Sequence, residues 1–456
     1  MKYSALLTDL YQLSMAHGYW QKGMHDQNAV FHLFFRRNPS RGDYVVASGL
    51  SSVIDFLNQF HFTDDDIDYL KSLKNPIFPA DFLAYLKTLR FTGDIDAMPE
   101  GSVAFANEPL LRIKAPLLLC QLLETPLINL TNFSSAVATM ASRMRTIVGN
   151  DNVLFEFGLR RAQGPNGGMT ASYAAYLAGF DATSNVLAGK EFDIPVVGTM
   201  SHSWIMAFDD ELTAFEEYAR VMPDNVILLV DTYNTHTGVD HAIIVGKKLK
   251  AQGAQLKGIR LDSGELSTLS KMAREKLNQA GLHDTKIFVS GDLTEDRMID
   301  LKLEGAPIDG WGVGTFLSTS YTQPALDMVY KLGAIEKNSQ WHYKLKVSDN
   351  RIKTSDPGIL QVKRYYDANK WLCDFIYCVD LGMTVSEKNN VERSQDLLLP
   401  VFRQGKLINK QPTLTDSRQY CIEQVKQFHA SKGVHYSVQR DPQLIALKKK
   451  LMDESS

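Results

Sequence analysis

The chain has 456 residues, of which 49 are Lys or Arg and 52 are Asp or Glu, for a formal net charge of -3. That length is too great for one ordinary core and suits one large or two medium domains. The near-neutral balance gives no footprint for nucleic acid or a membrane surface, and no apolar run reaches the ~20 residues that span a bilayer. The four cysteines show neither a C-x-x-C pair nor zinc spacing, and the first residues do not read as a signal peptide. A cytoplasmic protein with buried free thiols is expected.

Residues 8–20 read as a helix with Thr8 or Asp9 as its cap, Leu10, Leu13 and Met15 on its apolar face, and Tyr11 beside that face. A β-type run follows at 30–35 and ends in Arg36-Arg37, with 44–47 expected to pair back onto it. The two arginines read either as solvated charges or as an anion clamp, because guanidinium grips phosphate with a fork of donors. Residues 51–90 read as three short helices, and Thr63-Asp64-Asp65-Asp66 is a natural helix start, since acidic groups favour the positive end of the helix dipole. Short strands are expected over 91–116, then one apolar helix at 117–130 and a second, amphipathic one at 134–148.

From about residue 150 an apolar run ending in Gly or a polar residue recurs six times. The runs at 154–157, 194–197, 226–230, 258–261, 287–289 and 311–313 lead to Arg160, Thr199 with His202, Asp231, Asp262, Ser290-Gly291 and Gly314-Thr315. The polar markers 199, 231, 262, 291 and 315 are separated by 32, 31, 29 and 24 residues, the length of one strand plus a crossover helix. Such runs suit parallel strands buried on both faces. A βα barrel is expected, and in a barrel all the strand ends open on one mouth. Arg160, Thr199, His202, Asp231, Asp262, Gly291 and Thr315 should therefore converge, although 155 positions separate the first from the last. After about residue 340 strand-like sequence returns, and helices are expected over 415–430 and 442–452.

The mouth so assembled mixes carboxylates, arginines, hydroxyls and glycines. Gly291 and Gly312-Val313-Gly314-Thr315 suit a phosphate, because glycine lets backbone N–H groups approach it closely. Asp231 and Asp262 fit Mg²⁺ or ribose hydroxyls around a polyphosphate, and equally a turn or helix cap. Arg160 and Arg260 fit a carboxylate, and Arg260, inside an apolar strand, needs some anionic partner. For His202, spacing leaves open a base, a ligand or a phosphate acceptor.

These residues also carry a resemblance. Leu-Leu-Thr-Asp-Leu-Tyr-Gln at 6–12, Phe-Phe-Arg-Arg-Asn-Pro at 34–39, Phe-Gly-Leu-Arg-Arg-Ala-Gln-Gly at 157–164, Gly-Thr-Met-Ser-His-Ser at 198–203 and Leu-Val-Asp-Thr-Tyr at 229–233 resemble nicotinate phosphoribosyltransferases. So do Gly-Ile-Arg-Leu-Asp-Ser-Gly at 258–264, Ser-Gly-Asp-Leu at 290–293, Gly-Val-Gly-Thr at 312–315 and Val-Tyr-Lys-Leu at 329–332. The resemblance implies an irregular βα barrel of the type II phosphoribosyltransferase kind, with a split α/β sandwich domain formed by the N- and C-terminal segments. On this chain that gives 1–130 and 341–456 for the sandwich and 131–340 for the barrel with the active site.

It further implies the joining of nicotinate to 5-phosphoribosyl 1-diphosphate, with Mg²⁺, coupled ATP hydrolysis through a phosphohistidine at His202, and a homodimer. Tyr11, Arg160, Thr199 and Arg260 would hold nicotinate. Asp231 and Asp262 would serve the ribose, diphosphate and Mg²⁺ region, and Ser290, Gly291, Gly314 and Thr315 the 5-phosphate. Arg37 would reach a neighbouring subunit's diphosphate, with Arg36 the other choice. Glu265 and Asn234 depart from the family pattern, which has Asp at both positions. Three rival readings are a nicotinamide phosphoribosyltransferase, a quinolinate phosphoribosyltransferase and a barrel that only senses nucleotides. Two mapped arginines favour a carboxylate over the neutral amide. Quinolinate enzymes are shorter and lack the ATP-linked histidine, and the carboxylates and His202 argue for catalysis.

Overall fold

A computed structural model of the chain describes residues 3–348, 353–368, 370–384, 391–431 and 436–454. It divides into two compact units, one made of Met1–Thr139 with Ala325–Ser456 and the other of Met140–Pro324.

The first unit holds a seven-stranded sheet in the order Gln340–Tyr343, Met328–Lys337, Asn28–Phe35, Leu111–Pro116, Asp94–Ala97, Leu399–Arg403 and Lys406–Leu407, antiparallel throughout. Its core is aromatic and aliphatic, with Phe35, Phe82, Ile95 and Ile113 fully buried. Helices Leu50–Asn58, Asp64–Ser72 and Ala80–Thr88 occupy the span expected to be helical. Thr63 and Asp66 form a reciprocal capping box at the second of these, which accounts for the acidic run there. A four-stranded sheet, Arg393–Asp396, Leu360–Asp367, Lys370–Cys378 and Ser437–Arg440, packs with helix Leu414–Ala430. The four cysteines are free and buried.

Two local expectations fail. Residues 45–46 pair with Val103–Ala104 and not with the run before them. The expected break between two helices near residue 131 is absent: a short helix Leu117–Leu122 is followed by one long helix, Glu124–Val148. Asn132 there spends its side chain on the Leu326 N–H at 2.7 Å, and Thr131 returns its hydroxyl to the Leu127 carbonyl, so neither competes for the helix backbone.

The second unit is built on a six-stranded sheet in the order Ala182–Thr183, Val153–Glu156, Gly310–Val313, Lys286–Val289, Gly258–Leu261 and Ile227–Leu229, every pairing parallel. Helices Thr235–Ala251, Leu266–Gln279 and Glu295–Leu303 are the crossovers. The run at 194–197 makes only one parallel bridge, Val196 to Thr183, and the short strand at 182–183 was not foreseen. Around the sheet the strands thus follow chain order, and one join is missing, between Val196 and Ile227. Among the described residues the hydrogen bonding of this sheet does not close into a ring, so of the expected βα barrel it shows the parallel strands, their order and the crossover helices. The run meets its one neighbour through alternate residues: the Pro195 carbonyl accepts from the Thr183 N–H and the Val197 N–H donates to the Thr183 carbonyl, both at 3.0 Å. Across the join the Asn225 side-chain amide donates to the Gly198 carbonyl at 3.5 Å, a side-chain contact where a ladder would otherwise close the ring.

Candidate active site

The C-terminal ends of the parallel strands gather most of the residues singled out in the sequence. The strand Ile227–Leu229 ends before Asp231, and the strand Gly258–Leu261 before Asp262. Asp231 Oδ2 accepts from the Asp262 N–H at 2.8 Å and from the Ser263 hydroxyl at 2.7 Å, so one carboxylate fixes the next strand's turn. Asp262 Oδ1 in turn accepts from the Ser290 hydroxyl at 2.5 Å. Gly291 follows with φ +82°, and a Cβ there would lie 2.2 Å from the Asp262 carbonyl, so this position admits only glycine.

His202 starts the short helix His202–Met206. Its Nδ1 shares a hydrogen bond with the Thr232 hydroxyl at 3.1 Å, and its Nε2 stands 3.9 Å from Asp262 Oδ2. The ring is half-buried, which leaves it reachable from the mouth.

Below the carboxylates is a cavity of about 140 Å³, lined by Phe155, Phe157, Thr199, Asn225, Arg260 and Phe288 among others. The three phenylalanine rings are roughly parallel neighbours, with Phe155 6.0 Å from Phe157 and 5.9 Å from Phe288. The residues come from both free edges of the sheet as well as its middle, so the sheet wraps around this space although its hydrogen bonding does not close. Arg260 donates from one terminal nitrogen to the Thr199 hydroxyl. Its Nε is buried and, among the described residues, has no hydrogen-bond partner. Burial pushes the Arg260 guanidinium below its ordinary pKa, Asp262 and Asp231 pull it back up, and the nearby Arg160 charge lowers it further. An unspent buried donor on a cation beside an apolar cavity is a place for an anion.

Arg160 sits on the single turn Leu159–Arg161 directly after the first parallel strand and is exposed. Gly314 precedes the turn Thr315–Ser318, both of them half-buried at their start. Gly158 joins the two places: a Cβ on it would meet the Ser318 side chain at 2.4 Å and the Gly314 carbonyl at 2.9 Å. Tyr11 and Arg37 belong to the first unit. There Tyr11 is exposed on helix Leu10–Gln21, and Arg37 is exposed just past the strand Asn28–Phe35. Asn234 caps helix Thr235–Ala251 by accepting from the Thr237 N–H, and Glu265 is exposed beside Arg297. Of the two family departures, Asn234 thus holds a capping post, while Glu265 makes only a surface ion pair.

Reading the sequence missed the phenylalanine wall. Phe155 and Phe157 are two apart in a strand and so face the same side, a signal that was available.

A family model described as the nicotinate phosphoribosyltransferase N-terminal domain matches residues 6–132, and the model of the nicotinate phosphoribosyltransferase family matches residues 153–370. A Bacillus subtilis nicotinate phosphoribosyltransferase is 41% identical over 433 residues, covering 91% of this chain and 87% of that protein. This chain belongs to the nicotinate phosphoribosyltransferase family.

Relatives of the same description in Dictyostelium discoideum and Caenorhabditis elegans are 38% and 36% identical, each covering 92% of this chain and 82% and 87% of their own lengths. Among solved structures, human nicotinic acid phosphoribosyltransferase superposes with a TM-score of 0.85 at 31% identity, covering 97% of this chain and 99% of the human one. The nicotinate-nucleotide pyrophosphorylase of Pyrococcus furiosus shares the fold, with a TM-score of 0.74 at 22% identity over 93% of this chain and 96% of its own. Family membership thus rests on both halves of the chain. No described helix is long and apolar enough to cross a membrane.

Proposed function

We propose that this chain joins nicotinate to C1 of 5-phosphoribosyl 1-diphosphate, releasing diphosphate and giving nicotinate mononucleotide for NAD biosynthesis. The carrying observation is Arg260, which lines a small cavity walled by three phenylalanines and carries a buried, unpartnered Nε. A flat apolar ring bearing one carboxylate satisfies both parts of that cavity. Nicotinamide offers the ring without the charge, so nicotinate is the better fit. Arg160 supplies a second positive charge, and Thr199 steadies Arg260.

Asp231 and Asp262 serve the ribose and diphosphate. Ser290, Gly291, Gly314 and Thr315 form the rim for the 5-phosphate. Among the described residues no group of three or more His, Cys, Asp or Glu is suited to hold a metal ion. Mg²⁺ arrives on the diphosphate, as the family resemblance implies, with the unpartnered Asp231 Oδ1 as an acceptor beside that region. When bound, Mg²⁺ neutralises the leaving group's charge. The residues around it supply positioning and fixed dipoles.

ATP hydrolysis is coupled through a phosphohistidine at His202, which draws on the family resemblance and on the histidine's reachable place beside Asp262. Its phosphate promotes turnover by binding one conformational state better than another. The family resemblance assigns Tyr11 to nicotinate and Arg37 to a neighbouring subunit's diphosphate in a cytoplasmic homodimer. The wrapped but open sheet is the family's irregular barrel.

The test mixes the protein with nicotinate, 5-phosphoribosyl 1-diphosphate and Mg²⁺, with and without ATP, and identifies the products. Nicotinate mononucleotide, formed faster with ATP, is expected. With ATP labelled at the γ-phosphate, the protein should take up an acid-labile phosphate that His202→Ala abolishes. Equal labelling of that variant would remove His202 from the role.

A further inference from the structure

The strand that begins the parallel sheet carries a charge in its apolar run. Val-Leu-Phe-Glu-Phe-Gly at 153–158 places Glu156 where the strand ends, and that side chain is 1% exposed. A carboxylate taken out of water costs several kcal/mol unless donors replace the solvent. Three do. The Gly158 N–H donates to Oε1. The Ser172 hydroxyl donates to Oε2 at 2.8 Å and the Thr183 hydroxyl to the same oxygen at 2.6 Å. Asn185 holds these hydroxyls in place, its N–H donating to Thr183 Oγ1 at 2.9 Å and its side-chain amide to Ser172 Oγ at 3.1 Å.

The arrangement ties four places in the second unit to one carboxylate: the strand end, helix Gly164–Leu177 through Ser172, the strand Ala182–Thr183, and the turn that bears Arg160. The donor from that turn is a backbone N–H two residues before Arg160. Gly158 also anchors the turn itself, because its carbonyl accepts from the Arg161 N–H at 2.8 Å and the Ala162 N–H at 3.1 Å. On one side of Glu156 is Phe155 and on the other Phe157, both lining the cavity beside Arg260.

We infer that Glu156 is a positioning residue: buried and out of reach of substrate, it fixes the Phe157–Arg161 turn so that ring and guanidinium meet the nicotinate together. This rests on the proposed function. A carboxylate used only for stability would lower the melting temperature when removed and leave the relative affinities for the two substrates alone. A positioning carboxylate moves one of them. Phe157 keeps its backbone hydrogen bond to the Val313 carbonyl at 2.8 Å without Glu156, so the phosphate rim at Gly314 should stay in place.

Three variants separate the cases. Glu156→Ala removes all three acceptor contacts. Glu156→Gln keeps an acceptor for the Gly158 N–H, and its amide can donate to the Ser172 and Thr183 hydroxyls, which rotate to accept. Thr183→Val removes one donor to Glu156, together with the acceptor of the Asn185 N–H, and keeps the shape. In steady-state assays with ATP, Glu156→Ala should raise KM for nicotinate by about tenfold or more and shift KM for 5-phosphoribosyl 1-diphosphate by less than about threefold. Glu156→Gln should return nicotinate KM to within about threefold of wild type, and Thr183→Val should fall between the two.

Should Glu156→Ala not fold, the other two carry the test, with the same ordering expected of nicotinate KM. The inference is overturned if a folded Glu156→Ala leaves nicotinate KM unchanged, if both KM values rise in parallel, or if Thr183→Val matches wild type while Glu156→Gln does not. No nicotinate turnover by the wild type overturns the proposed function and this inference with it. Wild-type turnover with unmoved selectivity in the variants overturns this inference alone.

Discussion

Two arginines, one in each unit, have been taken out of water in opposite ways. Arg364 is fully buried and spends its donors. Its Nε and one terminal nitrogen reach Asp374 at 2.9 and 2.7 Å, the same terminal nitrogen reaches the Val103 carbonyl at 3.0 Å, and the Tyr436 hydroxyl stands 3.1 Å from Nε. The guanidinium also stacks 3.8 Å above the Trp371 ring centre. Burial alone would lower its pKa, but Asp374 and Tyr436 carry it well above the ordinary arginine value. Arg260 is held by Thr199 and leaves Nε unspent, so burial wins there and the pKa falls. A buried cation whose three nitrogens all find partners, the second terminal nitrogen here reaching Gln424 Oε1 at 3.4 Å, belongs to the fold. One left a donor short is prepared for a ligand that brings the missing charge.

The same substitution at both positions should break the likeness between them. Arg364→Met strands Asp374 without its partner and should cost about 3–5 kcal/mol of folding free energy, read by urea denaturation. Arg260→Met removes a poorly compensated charge, so stability should stay within about 1 kcal/mol of wild type or rise. If the two variants lost equal stability, the distinction between the sites would fail.

A smaller effect sharpens the comparison from the neutral side. His32 is fully buried, and its Nε2 accepts from the Leu360 N–H at 3.1 Å. Burial, with Arg112 adding to it, lowers its pKa from 6.5 to about 3. The folded state therefore refuses a proton that the unfolded chain accepts below pH ~6.5, and stability falls as pH drops through the window from ~6.5 toward ~3. The contribution approaches ~1.4 kcal/mol per pH unit within it. His32→Gln, which keeps an acceptor, should flatten that slope in denaturation curves at pH 7, 6 and 5. An unchanged slope would show that His32 is not the group responsible.

Much of this was legible in the sequence because parallel strands buried on both faces leave continuous apolar runs, and because the 24–32-residue step left room for one crossover helix each time. That spacing brought Asp231, Asp262, Ser290 and Gly291 together correctly. The short strand Ala182–Thr183 was not legible, since two residues carry no periodicity. Nor was the open join beside Val196, because pairing between two segments about thirty residues apart leaves no mark in the local pattern of either. Phe157 and Glu156 were hidden by their setting, an aromatic and a carboxylate read simply as the end of a strand. An alternation count would have put Phe155 and Phe157 on one face with Glu156 opposite. Tyr11 drew its role from family likeness alone, whereas the arginine pair already offered an anion clamp and the likeness added only the choice of Arg37 and the neighbouring subunit.

The central claim is that Arg260 reads a carboxylate. Its most direct test is the ratio of kcat/KM for nicotinate to that for nicotinamide, measured on wild type and on Arg260→Met under the same ATP and Mg²⁺ conditions. Wild type should prefer nicotinate strongly, and the variant should lose about a hundredfold or more of that preference, about 2.7 kcal/mol of discrimination. A wild type that prefers nicotinamide, or a preference that survives the loss of Arg260, would contradict the account.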